Sequence, residues 1–139
     1  MKLLMIYAEK IGYKTTSKTI ESMPDTDEEK VYGNVLVGFI QAEKEDEKDF
    51  KYVENKLVKN LKWAAGKNNT NRILLHSFAH LSVSKSSIDF AKKLLDNAEE
   101  RIGKSSYEAY QTPFGYFLDL DIQAPGKSLA RIFKDIGVK

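Results

Sequence analysis

At 139 residues, 42% hydrophobic and 30% charged, the chain has the size and mix of one folded domain with its own core, which rules against intrinsic disorder. Its 22 basic and 20 acidic side chains leave a net charge of +2, too little for a global field that draws a protein to nucleic acid, so any such contact must be local. Cysteine is absent, which excludes disulfides, a thiolate nucleophile and cysteine zinc sites, and the two histidines, His76 and His80, show no HExxH or HxH spacing, so no metal or other cofactor is expected.

The opening "MKLLMIYAEK" turns charged at Glu9 and has no small-residue cleavage site, so it reads as a first strand rather than a signal peptide. The longest apolar runs are too short to span a membrane. A soluble, cytoplasmic protein without a membrane partner is the expectation.

In chain order, "KLLMIYA" (2–8) reads as a buried strand, with "IGYKTT" (11–16) as its neighbour across a tight turn at Gly12. "ESMPDTDEEK" (21–30) carries turn residues and reads as an exposed loop. "VYGNVLVGFIQAE" (31–43) is the strongest strand: Val35, Val37 and Phe39 fall on one face, Leu36 and Ile40 on the other, and both faces should be covered, as in a central strand. The acidic run "EKEDEKD" (43–49) reads as a solvated loop leading into a helix over 45–66, whose Phe50, Val53, Leu57, Leu61 and Ala64 recur at three- and four-residue spacing up to a C-cap at Gly66. "NRILLHSF" (71–78) is another buried strand. A second amphipathic helix spans 86–103, capped by Ser86 or Ser87, with Ile88, Ala91, Leu94, Leu95, Ala98 and Ile102 inward. "SSYEAYQT" (105–112) and "GYFLDLDIQA" (115–124) read as strands separated by "PFG", and "GKSLARIFKDIG" (126–137) as a short final helix. The order β-β-β-α-β-α-β-β-α predicts an α/β (α+β) domain in which two to three helices pack on a mixed sheet.

Two polar breaks are candidates for chemistry. "HSFAHLS" (76–82) lies between a strand end and a helix, where ligands collect in open α/β sheets. Its plain alternative is a strand end with a satisfied histidine. "TPFGYFLDLD" (112–121) sets aromatics on a turn framed by Pro113 and Gly115, where they can stack a base. Its alternative is a turn whose aromatics fill the core. No P-loop, GxGxxG or GxSxG pattern is present.

Taken together, "NVLVGFIQAEKEDEK", "FAHLS" and "PFGYF", in this order and at these intervals, resemble the archaeal threonyl-tRNA synthetase N-terminal editing domain. The resemblance runs from "MKLLMIY" to "GKSLARIFKDI" and implies one domain over 1–139. It implies a D-aminoacyl-tRNA deacylase-like fold and hydrolysis of serine wrongly attached to threonine tRNA. It makes His80 the active-site histidine and Ala79 the backbone beside it. Ala42 and Glu43 would line the substrate pocket. Pro113, Phe114, Gly115, Tyr116 and Phe117 would form the turn around the terminal adenosine and the aminoacyl group. The implied partners are the aminoacylated tRNA 3′ end and a synthetase body, and related folds suggest a homodimer.

The chain departs from the family at informative places. Leu118 stands where the family has a lysine, Arg131 where it has a glutamate in the last helix, and Tyr7, Ala8 and Glu9 where it has "HSD". A lysine–carboxylate pair replaced by leucine and arginine points to a remodelled site. Either catalysis rests on backbone donors and the substrate's ribose hydroxyl, or the site retains binding alone.

Overall fold

A computed structural model describes residues 1–138. The elements are β1 (Lys2–Lys18), β2 (Glu29–Gln41), α1 (Phe50–Lys67), β3 (Arg72–Ser77), α2 (Ile88–Gly103), β4 (Glu108–Gln111), β5 (Tyr116–Gln123) and β6 (Arg131–Asp135), with short 3-10 turns at Lys44–Lys48 and Ser128–Ala130. The sheet runs β4-β3-β2-β1-β5, with β6 also on β1. β2, β3 and β4 are mutually parallel, while β1 is antiparallel to its neighbours. This is the mixed α+β class expected from the sequence, with two helices. Neither is long and apolar enough to cross a membrane.

β1 departs most from expectation. It is one continuous strand, and no turn forms at Gly12. That residue pairs with Val31 on one side and Asp121 on the other, so a turn would break two ladders at once. One length serves two partners on the same edge: Lys2–Ile6 pairs with β6 and Lys10–Lys18 with β5. The expected final helix is absent. Residues 131–135 form β6, because the edge of β1 left open by β5 offers unpaired backbone groups that an extended segment satisfies.

β2 is central, as its two-faced pattern predicts. Leu36 and Ile40 join the core beneath the helices, and Val35, Val37 and Phe39 join a second cluster on the opposite face. Gly38 admits α1 closely, since a Cβ there would lie 2.7 Å from Leu61 Cδ2. The fully buried Leu57 and Leu61 each contribute about 1.5–3 kcal/mol of apolar burial.

The helix ends differ in detail. Residues 44–48 form a 3-10 turn, and α1 proper starts after Asp49, whose carboxylate caps the Tyr52 N–H at 3.1 Å. Its C-terminus lies at Lys67 and Asn68 rather than Gly66, and Asn69 takes the left-handed conformation with φ 54°. Ser87 caps α2, as one of the two expected candidates, but Ile88 is 49% exposed rather than inward.

Candidate functional site

β3 ends at Ser77, and the chain then loops through 78–87 before α2. Gln41, the last residue of β2, fixes that loop. Its side-chain oxygen accepts from the N–H groups of Leu81 (2.7 Å) and Ser82 (2.8 Å), and its Nε2 donates to the carbonyls of Ser82 (2.8 Å) and Ser84 (2.9 Å). Gln41 is buried, and these four bonds use its amide fully. The Ala79 and His80 N–H groups, between strand end and clamp, engage no acceptor among the described residues.

The second wall comes from residues 112–118. β4 and β5 are not a hairpin. β4 pairs with β3 and β5 with β1, so Thr112–Gly115 cross from one part of the sheet to the other. Gly115 makes the crossing with φ 84°, and a Cβ there would lie 2.8 Å from Met23 Cγ. Its carbonyl accepts from Thr19 N at 2.7 Å. The Tyr116 hydroxyl donates to the Pro24 carbonyl (3.0 Å) and accepts from Thr26 N (2.7 Å), so it pins the 20–28 segment and is already occupied.

Between these walls lies a cavity of about 430 Å³, the size of a small-ligand site. Ala79, His80, Phe114, Gly115, Tyr116, Phe117 and Leu118 all line it. A smaller space of about 140 Å³, lined in part by Ile40, Ala42, Ala91 and Leu95, shares Ile20, Ser77, Ala79, Lys85 and Phe114 with it. The fold therefore brings "FAHLS" and "PFGYF" to one place, while Pro113 lies half-buried in the crossing just outside the lining.

The two histidines differ. His76 is buried against Phe39 and Phe78, with Nδ1 2.9 Å from Thr112 Oγ1, and burial pushes its pKa down to about 4. It is neutral at pH 7, and although buried it also contributes to the lining of the cavity. His80 is exposed on the rim, its ring 4.9 Å from that of Phe78.

The matching family model describes an archaea-specific editing domain of threonyl-tRNA synthetase, and it covers residues 1–136. The chain belongs to this family. The threonine–tRNA ligases of Methanosphaera stadtmanae and Thermococcus kodakarensis are 34% and 32% identical to it, over 98% of this chain and 22% of theirs. The editing domain thus spans about a fifth of the length of these relatives. A solved structure of a c-Myc DNA unwinding element binding protein matches with a TM-score of 0.67 at 13% identity, covering 99% of this chain and 100% of that one. That likeness is one of fold.

Within this editing domain, five positions singled out from the sequence lie elsewhere: Glu43, Arg131, Tyr7, Ala8 and Glu9. Glu43 lines neither space. It is tied to the N-terminal ammonium (2.8 Å), the Ser82 hydroxyl (2.7 Å) and Lys2 (3.2 Å). Burial alone would raise its pKa, but these partners hold it down to about 2, so Glu43 braces the loop as a carboxylate. Arg131 is exposed in β6 opposite Ile6, whereas Leu118 is opposite Thr15. Ile6 and Thr15 are nine residues apart on β1, roughly 30 Å of strand. A direct contact between positions 118 and 131, and with it a shared site, is therefore excluded within the chain. Tyr7, Ala8 and Glu9 also lie outside the cavity lining.

Sequence reasoning missed Gln41 and Lys85. Gln41 is a polar residue ending an apolar run, a faint signal. Lys85 lines both spaces and makes no ion pair among the described residues. Nothing in "SVSK" marks it before the loop is folded.

Proposed function

We propose that the domain hydrolyses the ester linking a misplaced amino acid to the terminal adenosine of threonine tRNA, with serine as the preferred aminoacyl group. One observation carries the reading: a single cavity joins the "FAHLS" loop to the "PFGYF" turn. Its partners are the aminoacylated tRNA 3′ end and a threonyl-tRNA synthetase body.

The cavity offers the parts this chemistry needs. Aromatic rings of Phe78, Phe114 and Phe117 give faces on which an adenine can stack. The free Ala79 and His80 N–H groups suit an oxyanion that develops as water adds to the ester carbonyl. Lys85, unpaired at the junction of the two spaces, favours the same negative charge. The rim imidazole of His80 can take the proton from the attacking water. As the tetrahedral intermediate collapses, the carbon–oxygen bond to the ribose breaks, and the proton passes to the leaving ribose oxygen. The smaller apolar space fits the aminoacyl side chain. A methyl more or less there discriminates by about 1–3 kcal/mol, which a second, hydrolytic selection multiplies.

The test is loss of ester from seryl- and threonyl-tRNA(Thr). The seryl ester is expected to disappear at least ten-fold faster, and Lys85→Met to slow it about ten-fold, equivalent to about 1.4 kcal/mol of transition-state stabilisation. No loss above the spontaneous rate with folded protein overturns hydrolysis. Because Leu118 lines the cavity where the family resemblance implies a lysine, and no carboxylate lines it, that outcome would assign the site to binding tRNA ends.

A further inference from the structure

Helix α1 carries five lysines, Lys51, Lys56, Lys59, Lys62 and Lys67, against one glutamate. That glutamate, Glu54, is buried and already neutralised by Arg101 (2.8 Å) and Lys51 (3.4 Å). The other four lysines make no ion pair among the described residues, nor does Lys134 of β6. Aromatic rings alternate with the charges. Tyr52, Lys56, Lys59, Trp63 and Lys67 follow at spacings of four, three, four and four, which places them on one face. The Lys56 ammonium lies 5.6 Å from the Tyr52 ring centre, and those of Lys67 and Lys134 each lie 6.0 Å from that of Trp63, which is 45% exposed. The face is about 20 Å long and starts beyond the segment that brings Ala42 to the smaller space.

The net charge of +2 hides an uneven distribution. The segment from Glu21 to Glu29 holds Glu21, Asp25, Asp27, Glu28 and Glu29, of which Asp25 pairs with Lys18 and Glu28 with Lys30.

We propose that this face of α1 binds the phosphate backbone of RNA while the 3′ end occupies the cavity. The choice of RNA rests on the tRNA reading above; the basic face itself does not. Lysines supply the phosphate contacts, and Tyr52 and Trp63 hold the ammonium groups in place while offering ring edge to sugars.

Binding of uncharged tRNA(Thr) between 50 and 200 mM salt, followed by fluorescence anisotropy, tests this. Lys56→Gln, Lys59→Gln and Lys67→Gln combined should weaken binding at least ten-fold and reduce the slope of log affinity against log salt by about three, one per phosphate contact. Lys59→Glu, at an exposed position, should weaken it with a single change. Lys104→Gln, which removes a lysine already paired to Glu100, should leave binding unchanged. Hydrolysis of a seryl ester of adenosine alone should be the same in wild type and the triple variant. Absent tRNA binding by wild type, an unchanged salt slope in the triple variant, or equally tight stripe-dependent binding to phosphatidylserine vesicles overturns the proposal. Stripe-dependent tRNA binding without any ester hydrolysis supports it and counts against the hydrolase reading alone.

Discussion

Replacing Gln41 with leucine removes the clamp on the 78–87 loop while keeping the side-chain bulk. Four hydrogen bonds of 2.7–2.9 Å are lost, two from loop N–H groups and two to loop carbonyls. At about 1 kcal/mol net each, their ceiling is about 4 kcal/mol. Leu81 and Ser82 are half-buried, so water recovers part of this, and a loss of about 2–3 kcal/mol is expected in urea unfolding. Gln41→Glu separates the two halves of the clamp. A carboxylate still accepts from Leu81 and Ser82 but turns an oxygen on the Ser82 and Ser84 carbonyls in place of donors, a repulsion that protonation relieves. Its deficit should therefore shrink as pH falls toward the carboxyl range. Amide hydrogen exchange at Leu81 and Ser82 reads the local effect directly: faster in the leucine variant, near wild type in the glutamate variant. Unchanged protection in Gln41→Leu, with a stability change under about 0.5 kcal/mol, would show that the loop is held by something other than Gln41.

His76 predicts a pH dependence of stability. Its folded pKa of about 4 lies below the ordinary 6.5, so its contribution is complete above pH 6.5 and is lost as pH falls through that window, because the unfolded chain binds the proton first. Unfolding free energy should drop by about 2 kcal/mol from this residue between pH 7 and pH 5, and His76→Gln should lack that drop; identical pH profiles would refute the burial argument. Gly115→Ala forces a side chain into a left-handed backbone and onto Met23, so a loss of at least about 2 kcal/mol and impaired deacylation are expected. A wild-type melting curve for that variant would mean that the crossing relaxes freely.

The sequence by itself determined much of this protein. The two-faced apolar pattern of residues 35–40 placed β2 at the centre, and the three- and four-residue spacings of Val53 to Ala64 and Leu94 to Ile102 gave both helices, since alternation and helical period are local properties that burial only reinforces. "FAHLS" and "PFGYF" marked the two walls of the cavity, whereas His76, read from the sequence as the less site-like histidine, is buried yet also lines it. Tertiary structure alone decided the rest. Gly12 resembles a turn until two ladders grip it from both sides, and "ARIFKD" has helical character until the open edge of β1 draws it into a strand, because backbone hydrogen bonding to a distant segment outweighs local propensity. The same exchange of helix for strand separated Arg131 from Leu118. Glu43, which the sequence sets beside Ala42, is drawn away from the cavity because it caps the 3-10 turn that follows β2 and meets the N-terminal ammonium there. Gln41 met its partners only when the 78–87 loop, distant in sequence, folded over it, and Lys85 of that loop became a cavity wall only once the opposite side was in place, since a hydrogen-bond partner or a cavity wall exists only once both sides have been brought together.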